Sequence, residues 1–173
     1  MPDPNGPPTV LARIVSGGQT GVDRAALNVA LTLGIDCGGW CPLGRKAEDG
    51  PIPDRYPVRE TETTDYAERT RLNVHDSDAT LALTSGTPSG GTALTLNFAR
   101  DLGHPVLAID PTDAGLANVD RVHRWIAENE VASLNVAGPR ESTISGIGAT
   151  ATAFLYAVLR QRRPTTAQPD ESA

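Results

Sequence analysis

The sequence predicts an α/β fold of three layers, in which helices cover both faces of a parallel sheet. Short apolar segments alternate along the chain with longer segments that have helical periodicity. Two of the apolar segments run through glycines directly into a helix, at residues 16–24 and 85–93. Open parallel sheets bind ligands at the carboxyl ends of their strands, where the winding of the sheet reverses.

The predicted strands and helices alternate in order along the chain. The strands are 10–15, 35–40, 79–84, 105–109 and 133–137, and the helices are 25–33, 65–74, 93–102, 116–128 and 148–162. We expect a Rossmann-like fold whose five-stranded parallel sheet has the order 2-1-3-4-5. This order places the first and third strands, which carry the glycines, side by side at the switch point.

The first glycine loop, residues 16–21, reads Ser-Gly-Gly-Gln-Thr-Gly and precedes a helix rich in Ala and Leu. Its spacing matches neither the dinucleotide fingerprint nor the nucleoside-triphosphate P-loop. A strand that turns through glycines into a helix aims unpaired N–H groups into one concavity, where a phosphate can bind. The alternative is a tight turn with Thr20 or Asp23 as the helix N-cap.

The second glycine loop, residues 85–92, reads Ser-Gly-Thr-Pro-Ser-Gly-Gly-Thr and also lies between a strand and a helix. Two such loops in one small domain favour a shared phosphate site over two unrelated turns. We therefore expect main-chain N–H groups of both loops to hold a phosphorylated small molecule.

Two further segments are open to a functional and a structural interpretation. The long loop at 41–62 contains four prolines and several charges, which suits either a lid over a charged ligand or a solvated surface loop. Asp76 and Asp78 either stop the unusually polar helix at 65–74 or present two carboxylates to a ligand.

Composition sets limits on the class of protein. The chain has 173 residues, 39% of them hydrophobic, which fits a single ligand-binding domain at 10–162 between flexible tails at 1–9 and 163–173. A net charge of −6 argues against nucleic acid as a partner. No apolar run reaches the roughly 18 residues of a membrane span, so we expect a cytoplasmic protein. Cys37, Cys41 and three scattered histidines do not predict a metal site.

Several motifs together carry a resemblance to a known family. They are Gly17-Gly18-Gln19-Thr20-Gly21-Val22-Asp23-Arg24, Gly39-Trp40-Cys41-Pro42, Gly44-Arg45, Ala47-Glu48-Asp49-Gly50, Asp76-Ser77-Asp78, Gly90-Gly91-Thr92 and Asn135-Val136-Ala137-Gly138-Pro139-Arg140-Glu141-Ser142. In this order, over most of residues 13–160, they resemble the molybdenum carrier (molybdenum cofactor carrier) family. The resemblance implies a Rossmann-like fold, a homo-oligomer (dimer or tetramer) and binding of molybdenum cofactor. That cofactor is a phosphorylated pterin whose dithiolene holds the metal, and molybdoenzymes would receive it.

Under this hypothesis the protein stores or carries the cofactor in a crevice between the glycine loops. Arg24, Arg45 and Arg140 are its expected cationic partners, and Asp76 or Asp78 would accept hydrogen bonds from the pterin amine. The full candidate set is Gly17, Gly18, Gln19, Thr20, Gly21, Arg24, Arg45, Asp76, Asp78, Ser89, Gly90, Gly91, Thr92, Arg140 and Glu141.

Two alternatives belong to other functional classes. The same superfamily contains cytokinin-activating phosphoribohydrolases, whose Pro-Gly-Gly-x-Gly-Thr loop is followed three residues later by a catalytic Glu. Here that position is Thr95, and a hydroxyl cannot replace the carboxylate. A nucleotide-processing enzyme of this type would need its carboxylate elsewhere, for example at Asp23, Asp49 or Glu141. The other alternative is a nucleotide-sensing binding module. We expect a binding protein rather than an enzyme and assign no catalytic residue.

Overall fold

The computed structural model describes residues 10–113 and 115–160, so the tails predicted at 1–9 and 163–173 lie outside the described residues. Within them the elements are β1 Arg13–Val15, α1 Val22–Leu33, β2 Asp36–Cys41, β3 Lys46–Ala47, β4 Gly50–Pro51, β5 Val58–Glu60, α2 Tyr66–His75, β6 Ala79–Leu83, α3 Gly90–Asp101, β7 Val106–Ile109, α4 Leu116–Glu128, β8 Ser133–Ala137 and α5 Ile147–Leu159.

A parallel sheet of six strands forms the middle layer, in the order β5-β2-β1-β8-β6-β7. Helices α1, α4 and α5 pack together on one side of it, and α2 packs with α3 on the other. The α/β three-layer prediction is therefore confirmed. None of the helices in the described part of the chain is long and apolar enough to cross a membrane.

The predicted strand number and order are wrong. The sheet has six strands rather than five, because β5 lies within the segment predicted as a structureless loop. β8 lies between β1 and β6, where Leu134 pairs with Ile14 on one side and Ala79 on the other. Leu134 and Val136 are almost completely buried, as a central strand requires, but β6 is equally apolar. Hydrophobicity alone therefore could not tell which strand takes the centre.

This order changes the surroundings of the two glycine loops. The loop that follows β8 lies between the strands that carry them, so residues 138–144 share the same edge of the sheet. Gly138 allows this packing, because a Cβ there would lie 2.5 Å from both the Leu83 carbonyl oxygen and Val22 Cγ2.

The segment between β2 and α2 is ordered by its own polar contacts. β3 and β4 form a short antiparallel hairpin, and β5 pairs in parallel with β2. The Arg45 guanidinium donates to the carbonyl oxygens of Ile52, Pro53, Tyr56 and Val58. At the hairpin tip, Asp49 forms a bidentate ion pair with Arg24 of α1. These contacts hold the hairpin against the first glycine loop.

Candidate functional site

A cavity of about 470 Å³ opens at the carboxyl ends of β1, β8 and β6. It contains seven of the residues that the sequence predicts for the site, namely Gly17, Gln19, Ser89, Gly90, Gly91, Thr92 and Arg140. The structure adds others that the site prediction did not include, among them Asp23, Arg69, Thr70, Asn73, Thr84, Ser85, Thr87, Thr95, Asn135, Ser142 and Thr143. Most of these side chains carry a hydroxyl or amide group, so the cavity is polar.

The second glycine loop contributes open main-chain donors to this cavity. α3 begins at Gly90, and the Ser89 side chain makes no capping hydrogen bond. Within the described residues, the N–H groups of Gly90, Gly91 and Thr92 have no hydrogen-bond acceptor. A Cβ at Gly91 would meet no atom within 4 Å. This helix N-terminus therefore presents three free N–H groups and the positive end of its dipole to the cavity.

The first glycine loop is filled by the protein itself. The Gln19 N–H donates to Asp23 Oδ2 at 3.2 Å, and the Val22 N–H donates to the Pro139 carbonyl at 3.3 Å. The Thr20 N–H donates to the Gln19 side chain at 3.1 Å. The N–H groups of Gln19, Thr20 and Val22, three of the donors expected to hold a phosphate in this loop, thus already have acceptors.

A buried ion pair joins α1 to α2 at the wall of the cavity, beside the first glycine loop. Arg69 Nη1 lies 2.9 Å from Asp23 Oδ2, and the two side chains are only 13% and 8% exposed. Arg69 lies directly over Gly17, since a Cβ there would fall 1.5 Å from Nη1. Glycine is therefore needed at this position to admit the guanidinium.

Two buried donors at the cavity have no partner. Arg69 Nε and Gln19 Nε2 are both inaccessible to solvent, and neither has an acceptor among the described residues. Leaving a buried donor unpaired costs about 1–3 kcal/mol, more for a charged group. An acceptor supplied by a ligand would remove this cost.

Arg24 and Arg45 lie outside the cavity. Arg24 lines a separate open groove, where its guanidinium holds Asp49 and the Gly18 carbonyl oxygen. Its hydrogen bond to Asp49 raises the pKa of Arg24 and lowers that of Asp49. The donors of Arg45 are occupied by the carbonyls of its own loop.

The remaining predicted site residues also have structural partners. Asp78 accepts from the N–H groups of Ala132 and Ser133 and lies at the amino end of β6, away from the cavity. Asp76 caps the end of α2 and accepts from Trp40 Nε1 at 2.8 Å. Asp76 thus ends α2, Asp78 binds the backbone at the start of β8, and neither carboxylate lines the cavity.

Gly18, Thr20, Gly21 and Glu141 lie around the first glycine loop, outside the cavity lining. A Cβ at Gly18 would touch Ile52, and a Cβ at Gly21 would lie 2.4 Å from the Pro139 carbonyl oxygen. Thr20 and Glu141 line the open groove beside α1. The Glu141 carboxylate accepts from the N–H groups of Gly146 and Gly148, so the N-terminus of α5 is already capped.

The candidate set predicted from the sequence contains neither Arg69 nor Asp23. The only roles predicted for Asp23 are those of a helix N-cap or the carboxylate of an enzyme, and no site role is predicted for Arg69. Arg69 lies on the helix noted for its polarity, and that excess of polar residues was the one available signal. Their contact spans 46 positions and depends on how α2 packs against β2 and α3, which a local pattern does not reveal.

The structure offers little for direct metal binding. In the described ranges 10–113 and 115–160, no three His, Cys, Asp or Glu side chains come together closely enough to hold a metal ion. Cys37 and Cys41 are buried free thiols, and burial raises the pKa of each.

Comparison with known proteins agrees with this fold. A crystal structure at 1.45 Å resolution from Syntrophus aciditrophicus SB, described as a "Putative molybdenum carrier protein", superimposes with a TM-score of 0.83. The two sequences are 40% identical, and the match covers 88% of this chain and 96% of that one. No curated protein matches this chain. The structural match confirms the resemblance given by the sequence motifs. Residues 14–159 match the sequence profile of one family, and the chain belongs to it: the circularly permutated YpsA SLOG family.

Proposed function

We propose that this protein binds and carries molybdenum cofactor, with the phosphate of the pterin held in the cavity at the second glycine loop. The name of the Syntrophus relative supports the choice of cargo. The cavity of about 470 Å³ has the size of an ordinary small-molecule site.

One observation carries the proposal. The residues that line the cavity include several donors without an acceptor among the described residues: the N–H groups of Gly90, Gly91 and Thr92, and the buried Arg69 Nε and Gln19 Nε2. A set of hydrogen-bond donors is complementary to a group that only accepts hydrogen bonds, and an ionised phosphate is such a group. The phosphate would therefore lie at the start of α3.

The rest of the ligand would face hydroxyl and amide groups. Thr84, Ser85 and Asn135 line the cavity and carry hydroxyl or amide groups, which can donate and accept hydrogen bonds, as the edge of a pterin requires. In this proposal the molybdenum arrives with the dithiolene sulfurs of the pterin. The chain itself then has only to bind and orient the organic part and its phosphate.

The main alternative is an enzyme that processes nucleotides. Asp23 is the one carboxylate that lines the cavity within the described part of the chain, whereas Asp49 and Glu141 line the separate groove. Asp23 is occupied by Arg69 and by the Gln19 N–H, and the Thr95 hydroxyl donates to the Gly91 carbonyl. Neither group is free to activate a water molecule, which favours binding over hydrolysis.

Mass spectrometry of small molecules released from protein purified from its native host tests the proposal. We expect a phosphorylated pterin in the wild-type protein and its loss in the Gly91→Val variant. A nucleotide in its place would support the nucleotide-binding alternatives. Release of free base from adenosine monophosphate, abolished by Asp23→Asn, would establish the enzyme.

We also propose that the protein acts in the cytoplasm as a homo-oligomer and passes the cofactor to molybdoenzymes. The homo-oligomer and the transfer to molybdoenzymes follow from the family resemblance, and the cytoplasmic location from a sequence without an apolar run long enough to span a membrane. Light scattering on the purified full chain would test the homo-oligomer.

A further inference from the structure

Three cationic side chains converge on one aromatic ring beside the cavity. Lys46 Nζ lies 5.0 Å from the centre of the Tyr66 ring, Arg140 Cζ lies 5.6 Å from it, and Arg69 Cζ lies 5.7 Å from it. We call these four residues the Tyr66 cluster. Arg69 and Arg140 also line the cavity, whereas Lys46 and Tyr66 do not, so the cluster extends outward from the cavity wall.

The positive charge of the cluster is only partly balanced. Asp23 pairs with Arg69, whereas the nearest carboxylate oxygen to Arg140, Glu48 Oε2, is 3.9 Å away. That Glu48 carboxylate already accepts hydrogen bonds from Thr20 and Ser142. Within the described residues, Lys46 has no carboxylate within 4.0 Å, and the Arg140 side chain donates no hydrogen bond.

The fold holds these cations together. Lys46 belongs to the β3–β4 hairpin, which is fixed by the bidentate Asp49–Arg24 pair. Arg140 follows β8, the strand inserted at the centre of the sheet, and Arg69 lies on α2. A cation–ring contact contributes about 0.5–1 kcal/mol at an exposed site, and the ring carries no net charge to balance the cations. A bound anion would supply that charge.

We propose that the Tyr66 cluster is a second anion subsite of the same cavity. The ligand then carries two separate anionic groups, a phosphate at the start of α3 and a second oxyanion at Lys46 and Arg140. This inference rests on the proposed function, because it assumes that the first phosphate lies at Gly90–Thr92. It narrows the ligand to small molecules with at least two oxyanion groups.

Calorimetry with inorganic phosphate, pyrophosphate and tripolyphosphate at about 0.15 M salt tests the inference, since these probes differ in reach. The readout is the ratio of the Kd of phosphate to that of tripolyphosphate. We expect the wild-type ratio to exceed tenfold and Lys46→Gln to reduce it roughly threefold, as for one partly exposed charge. Lys46→Arg should restore it.

The matched control is Arg160→Gln. Arg160 lies over the Tyr156 ring at 5.9 Å, so it is the same kind of pair on another part of the surface, and its loss should leave the ratio unchanged. An equal ratio in wild-type protein and Lys46→Gln, or an equal drop in Arg160→Gln, would overturn the second subsite. Failure of the wild-type protein to bind any of the three anions would instead overturn the proposed function and this inference with it.

Discussion

The two glycine loops look alike in the sequence and differ in what surrounds their glycines. In the first loop, a Cβ at Gly17 would overlap Arg69 and a Cβ at Gly21 would strike the Pro139 carbonyl. In the second loop, a Cβ at Gly90 or Gly91 would meet no atom within 4 Å. The glycines of the first loop therefore serve close packing, and those of the second leave room in front of a helix N-terminus.

The hydrogen bonds show the same contrast between a covered first loop and an open second loop. In the first loop, the N–H groups of Gln19, Thr20 and Val22 donate to Asp23, the Gln19 side chain and Pro139. Those of the second loop are free within the described residues. A strand-glycine-helix pattern thus predicts available donors only where no other part of the chain covers them, and this depends on tertiary packing.

The largest expected effect is on stability, at Gly21. This residue has φ +78°, and any side chain would press against the backbone of the loop after β8. We expect Gly21→Ala to lower the free energy of unfolding by about 3 kcal/mol or more. The matched variant Gly91→Ala should cause no loss, because its site is open and helical. Urea unfolding of both proteins checks this, and equal effects would remove the distinction between the loops.

The Gly91→Val variant tests whether the second glycine loop binds phosphate. Its side chain would project into the space in front of the α3 N-terminus while the fold stays intact, so binding of phosphorylated ligands should disappear. Calorimetry measures the affinity, and circular dichroism checks the fold. Wild-type affinity in a folded Gly91→Val protein would contradict a phosphate site at this loop.

Arg69 is expected to contribute more to binding than Arg24. Arg69 lines the cavity and its buried Nε has no acceptor among the described residues, whereas Arg24 is engaged by Asp49. Losing one charged hydrogen bond should make Arg69→Met bind about 10- to 100-fold more weakly. Titration of Arg24→Met should give a nearly unchanged Kd. The reverse ranking would mean that the ligand lies in the groove beside α1.

The smallest effect concerns pH. Hydrogen bonds from Ser142 and then Thr20 hold the pKa of Glu48 below its ordinary value. The stability that Glu48 contributes is therefore fully present above about pH 4.3 and is lost as the pH falls through the lowered pKa. Glu48→Gln should show a shallower loss of thermal stability below that pH. Glu62→Gln, at an exposed position, serves as the control. If thermal stability falls equally with pH in the wild-type protein and both variants, the hydrogen bonds of Glu48 to Thr20 and Ser142 do not contribute as expected.

Much of the fold could be predicted because its signals are local. The stripe that includes Val119, Val122 and Ile126 predicted α4 with its observed ends. β5 escaped prediction since it has three residues, of which only Val58 is buried. The order of the sheet depends on which apolar strand lies at the centre, and no local sequence pattern distinguishes β8 from β6 in this respect.

In the candidate site, too, the parts set by the local sequence could be predicted and those set by tertiary packing could not. Gly90, Gly91 and Thr92 follow β6 after the short loop 84–89, so the chain itself places them near the carboxyl end of that strand. The contact of Arg69 with Asp23 and Gly17 joins α2 to the first glycine loop across the sheet edge. Only the packed structure shows that this guanidinium, rather than a ligand, covers the first loop.

Amide chemical shifts test the contrast between the loops most directly. Titrating ¹⁵N-labelled protein with inorganic phosphate should shift the amide signals of Gly90, Gly91 and Thr92, whose N–H groups are free. The amides of Gln19, Thr20 and Val22 should move little, because each already donates to an acceptor within the protein. Large shifts in the first loop with none in the second would contradict the account.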